Sequence, residues 1–130
     1  MPCNKAYNNW GLALEAQGDF AGAIAKYEQV AALAPNDAQA YFLWANALFR
    51  QRDLAGAIDK YRKWVTLDPD DANAYFSLGY ALSTQGDHAG AIAAYQKVID
   101  LDPESEAAAQ ARKAIVSSQK EHKHTGVPGE

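Results

Sequence analysis

The tetrapeptide Ala-Gly-Ala-Ile begins at Ala21, at Ala55 and at Ala89, so each copy stands 34 residues after the last. A fixed period of this size constrains a fold more tightly than any composition, because it marks one supersecondary unit stacked on copies of itself. Other residues keep the same register. Tyr27, Tyr61 and Tyr95 stand three positions beyond each Ile; Leu33, Leu67 and Leu101 come next, and Pro35, Pro69 and Pro103 close the units. The repeats therefore run over 4–37, 38–71 and 72–105, and the remainder begins at Glu106.

Within a unit, apolar residues fall twice at helical spacing, and the break between the two runs carries stop and start signals. In the third repeat Tyr75, Leu78, Gly79 and Leu82 make one helical face, Gly86 is suited to the left-handed conformation that ends a helix, and Asp87 to capping the next. Gly18 and Asp19 do the same in the first repeat. The second repeat has Arg52 where the others have Gly, and a side chain held at positive φ costs about 1 kcal/mol. The closing Pro forbids continuation of the second helix, and Asp37, Asp71 and Ser105 stand ready to cap the next one. Gly11, Ala45 and Gly79, set against Ala23, Ala57 and Ala91, let paired helices approach closely, so the glycines are read as belonging to turns and helix contacts. Each unit is thus predicted to be a helical hairpin.

With the period, the aromatic, Leu-Gly, Ala, Tyr and Pro positions in place, the chain resembles the tetratricopeptide repeat family from Asn4 to Ser105, most completely from Tyr75-x-x-Leu78-Gly79 through Ala91, Tyr95 and Pro103. It departs at Trp10 and Trp44, where the family usually has Leu, and at Trp64, where it usually has a small residue; these indoles imply local repacking. The resemblance implies an all-α fold, a right-handed α-solenoid of three helix-turn-helix hairpins closed by a C-terminal capping helix, with first helices lining a concave groove. On a helical projection Tyr41, Trp44, Ala45 and Leu48 share one side of the first helix of the second repeat, and Gln39, Phe42, Asn46 and Phe49 the other.

By that resemblance the groove positions are Lys5, Asn8, Asn9, Leu12 and Glu15 in the first repeat, and Gln39, Phe42, Leu43, Asn46, Phe49 and Arg50 in the second. Asn73, Phe76, Ser77, Tyr80, Ser83 and Thr84 complete the lining from the third. The lining is nearly neutral. Asn side chains offer a donor and an acceptor to the backbone of an extended peptide, and the aromatics offer seats for its apolar side chains. The expected function is a protein-protein interaction module, monomeric, holding a partner segment in this groove. A self-assembling scaffold and a regulatory segment of a larger enzyme or complex are the other two classes. One variant of the family grips acidic heat-shock chaperone tails with Lys, Asn and Arg; the equivalent places here hold Asn8, Leu12, Leu43, Asn73 and Ser77, so the cations that neutralise a terminal dicarboxylate are missing and such tails are not the expected partner.

The remainder opens with Ala108, Ala111, Ala114 and Ile115 on one helical stripe, with Arg112, Lys113 and Lys120 on the other side: a capping helix over 106–121, then a flexible tail over 122–130. His122 and His124 supply two ligands at most, Cys3 is the sole cysteine, and the Asp68, Asp70 and Asp71 run sits where helix caps are expected, so neither metal nor other cofactor is predicted. His88 occupies a packing position. No nucleophile with a paired base and no phosphate-cradling Gly loop is present, so no enzyme is predicted. A net charge of −4 gives little attraction for nucleic acid, and no apolar run reaches the length of a membrane span. Because Met1 leads straight into patterned sequence, a cytoplasmic setting is expected.

Overall fold

The computed structural model describes residues 4–125, with side chains as far as Glu121. Seven α-helices and no strand occur among these residues: α1 (Asn4–Ala16), α2 (Phe20–Leu33), α3 (Ala38–Arg50), α4 (Leu54–Leu67), α5 (Ala72–Gln85), α6 (His88–Leu101) and α7 (Glu106–Thr125). The helix expected to stop at Glu121 continues to Thr125, since the first residue that breaks helical propensity is Gly126. Cys3 and the segment from Gly126 onward lie outside the described residues, as do the side chains of His122 and His124.

Caps set the helix boundaries. The second helix of every hairpin is started by an Asp whose carboxylate accepts from the backbone N–H three residues on: Asp19 from Gly22 at 2.9 Å, Asp53 from Gly56 at 3.0 Å and Asp87 from Gly90 at 2.9 Å. Those glycines are the Gly of the Ala-Gly-Ala-Ile repeat, and their role is space. A Cβ on Gly56 would come within 2.5 Å of Asp53 Oδ2, and one on Gly90 within 2.6 Å of Asp87 Oδ2. Asp37 and Asp71 cap α3 and α5 through the amides of Gln39 and Asn73, and the Ser105 hydroxyl accepts from Ala108 N–H at the start of α7.

Two of the turns inside hairpins are made by glycine at positive φ, Gly18 at 83° and Gly86 at 101°. Arg52 takes the equivalent place at φ 67°, the strained conformation its position in the period predicts. All three turns return the chain antiparallel, and each cap residue after the turn bonds back to the preceding helix, as Asp53 N–H does to Leu48 C=O at 2.9 Å.

The chain divides into two units, Met1–Pro69 with α1 to α4 and Asp70–Glu130 with α5 to α7. In the first, α1 packs on α2, α2 on α3 and α3 on α4, while α1 also meets α3. Ala23, Tyr27, Leu43 and Ala47 form its core, with Leu14, Ile24, Phe42 and Trp44 packed around them. In the second, α6 lies between α5 and α7, and Ala91, Tyr95, Val98, Ala108 and Ala111 are buried.

Candidate functional site

In the first unit, Lys5, Asn8, Asn9 and Leu12 succeed one another at i, i+3, i+4 and i+7 and form one stripe along α1; Gln39, Phe42, Leu43, Asn46, Phe49 and Arg50 form the matching stripe on α3. The two stripes adjoin at their C-terminal ends, where Arg50 Nη1 lies 3.8 Å from Glu15 Oε1. Arg50 keeps 63 % of its side-chain surface open, whereas Glu15 is buried and also accepts a hydrogen bond from the Tyr27 hydroxyl of α2. Burial, and then the Glu15 bond, push the Tyr27 phenol pKa well above its ordinary value.

The repeat-equivalent Tyr61 reaches the same face of α3, where its hydroxyl donates to Asn46 Oδ1 at 2.5 Å; burial raises its pKa to about 12. Asn46 is therefore half-buried and held. Asn8 is in the opposite condition. It is only 2 % exposed, and its Oδ1 has no hydrogen-bond partner among the described residues. An unpaired buried acceptor costs about 1–3 kcal/mol in the free protein.

The other expected residues divide between surface and core. Lys5, Asn9, Leu12 and Gln39 are exposed. Leu43 is not available as a groove residue: it is 5 % exposed and sits in the core against Ala23, Tyr27 and Ala47. Phe42 is half-buried, its ring centroid 4.6 Å from that of Trp64, and Phe49 is half-buried too. The physical reason is that α3 touches α1, α2 and α4, so both of its apolar faces find partners. In the second unit, Asn73 is exposed, Phe76 packs edge-on to Tyr95 at 5.3 Å, Ser77 is half-buried and Tyr80 is exposed on α5. Burial, with a contribution from the Tyr80 phenol, brings the Tyr95 pKa to about 12.

Family models described as "Tetratricopeptide repeat" match residues 8–72 and 72–105. The chain belongs to the tetratricopeptide repeat family. Among solved structures, the Arabidopsis OM64 TPR domain shares 20 % identity at a TM-score of 0.77, covering 90 % of this chain and 94 % of that one. The first TPR of Spaghetti (RPAP3), bound to the HSP90 peptide SRMEEVD, shares 22 % at a TM-score of 0.79 over 90 % of this chain and 93 % of that one. MamA shares 22 % at 0.72 over 95 % and 80 %. Among curated proteins no significant sequence match is found. Tetratricopeptide repeats are in general protein-protein interaction modules, and the three helical hairpins match that fold.

One constellation of this repeat protein is not apparent from its sequence until the structure shows it. Tyr7 and Trp10 of α1 stack with ring centroids 6.2 Å apart, and Lys26 of α2 places Nζ 3.7 Å over the Trp10 ring. Tyr41, Trp44 and Lys60 reproduce it, at 6.2 Å and 4.1 Å. The signal lies in the interval from Trp to Lys, which is the same in both repeats. Among the described residues no group of His, Cys, Asp or Glu is placed to hold a metal ion, and no helix is long and apolar enough to cross a membrane.

Proposed function

We propose that the first unit binds an extended segment of another protein along the joined stripes of α1 and α3. Asn8 carries this reading. A buried amide with an unanswered acceptor is a defect in a stand-alone domain, and rotation of the Asn8 side chain toward the exposed Asn9 and Leu12 surface, where a ligand's backbone N–H meets its Oδ1, removes it. Around it, Leu12 offers an exposed apolar seat, Asn9 and Gln39 offer further amides, and Arg50 offers a cation already oriented by Glu15. Arg50 and Lys5, at opposite ends of a nearly neutral lining, suit a segment with separate acidic side chains rather than a terminal dicarboxylate. The peptide held by the Spaghetti domain is therefore a guide to the surface used and not to the ligand.

The experiment is selection of binding segments from a displayed peptide library with the full chain, and then titration of the selected peptide. Burying a Leu side chain contributes about 1.5–3 kcal/mol and a hydrogen bond about 1 kcal/mol, so Leu12→Ala combined with Asn8→Leu weakens binding at least tenfold. Selected peptides that bind the double variant unchanged place the working surface elsewhere.

A further inference from the structure

The Tyr-Trp-Lys constellation occurs twice in the first unit, and the two copies differ in what faces them. At the second copy, Tyr41 and Trp44 line a cleft of about 480 Å³ together with Glu28, Ala31 and Ala32 of α2 and Asp59, Lys60 and Lys63 of α4. The α2 side is made of two small residues and the Glu28 carboxylate, which shares the lining with Lys63 and with Lys60, whose Nζ lies 3.1 Å from Asp59 Oδ2; the first copy has Ala25 in place of Asp59, so Lys26 has no such carboxylate beside it on its own helix. Trp44 is half-buried.

The first copy has the same stack and the same lysine, but among the described residues α1 packs mainly on α2, which supplies the lysine, and on α3. Trp10 is 52 % exposed, the largest side chain of the unit left so open. Trp and Lys together form a rigid amphipathic surface of the kind that anchors interfaces, with low ordering cost because stacking on Tyr7 already fixes the indole. Within the fold, α2 packs on α3 and faces the second copy of this surface across the cleft with an acidic residue and small residues three and four positions later, Glu28, Ala31 and Ala32.

We propose that the Tyr7, Trp10 and Lys26 face is a second docking surface, and that it takes a helix of a partner protein presenting an acidic residue and, three and four positions later, two small residues on one face. It lies away from the Asn8 and Leu12 stripe. Trp10 comes two positions after Asn8, which turns it about 200° around α1. The two surfaces are therefore testable apart.

The probe is a synthetic peptide of residues 20–33 with a hydrocarbon staple joining positions 23 and 27, so that the helix is fixed and the face that packs on α1 in the intact protein is blocked. Titrated into the isotopically labelled full chain, it is expected to shift the Trp10 indole resonance. Trp10→Ala should weaken binding at least tenfold, with the other amide resonances in place. Lys26→Glu in the protein should weaken binding several-fold, and Glu28→Lys in the peptide should restore it, a rescue that a merely structural lysine does not give. Three outcomes overturn the proposal. They are the absence of binding at millimolar peptide, binding that Trp10→Ala leaves unchanged, and concentration-dependent dimerisation of the protein alone that Trp10→Ala abolishes, which would assign the surface to a second copy of this chain. Shifts confined to Asn9, Leu12 and Gln39 would also overturn it, and would leave the α1 and α3 reading intact.

Discussion

Asn8 separates stability from binding, and one substitution tests both. In Asn8→Leu a side chain of nearly the same shape replaces an amide that is 2 % exposed and has an unpaired Oδ1. Removing the uncompensated acceptor relieves about 1–3 kcal/mol, and burying an isobutyl group adds to it, while a small misfit of the branched Cγ substituents subtracts up to about 1.5 kcal/mol. The expected balance is a gain of about 1–2 kcal/mol in the folded protein, together with a loss of affinity for any selected peptide. Urea unfolding monitored by tryptophan fluorescence measures the first, because Trp10 and Trp44 report on the same unit as Asn8, and the midpoint rises at unchanged slope. Peptide titration measures the second. A variant destabilised by more than about 1 kcal/mol would refute the reasoning, because that sign requires the wild-type amide to have been satisfied.

Gly79→Ala is expected to cost about 1–3 kcal/mol in thermal or urea unfolding, since its Cβ would stand 2.8 Å from Cε1 of the fully packed Tyr95 ring. Arg52→Gly is expected to stabilise by up to about 1 kcal/mol, measured the same way, by releasing the side chain held at φ 67°. Phe42→Ala should cost about 3–5 kcal/mol, reduced in proportion to its partial exposure, because its ring packs on Trp64 and the core; loss of binding in that variant is therefore read only beside its helical spectrum. The phenols of Tyr61 and Tyr95 titrate near 12 when folded and near 10 when unfolded, so the folded state holds its protons longer. Their stabilising contribution is complete below pH 10 and declines as pH rises to 12, which urea midpoints across that window measure.

The hairpins, their caps and the strained turn at Arg52 are legible in the sequence because each depends on residues close along the chain: Asp19, Asp53 and Asp87 start helices whatever packs on them. Helical projection also separates the two faces of α3. It does not tell that Leu43 and Phe42 on the supposed open face meet side chains of α2 and α4, since a period records which residues share a face and not what stands opposite. The Gly of the repeated tetrapeptide reads as a turn or helix-contact residue, whereas the structure gives it to the capping carboxylate. The orphan on Asn8 is out of reach for a related reason. The same residue type at Asn46 is satisfied by Tyr61, and only coordinates distinguish the two.

The capping arrangement has a consequence for how a chain of this kind can change length. Asp37 and Asp71 are the final residues of their own repeats, yet each starts the first helix of the next. A duplication or deletion of one full period therefore carries a start signal to every new junction, wherever in the period the exchange occurs. An exchange that is not a whole number of periods strands a helix without its aspartate or an aspartate without the glycine that makes room for it. Recombination between copies is thus filtered by local hydrogen bonding before packing is tested, and arrays with more or fewer hairpins are reachable in single genetic steps.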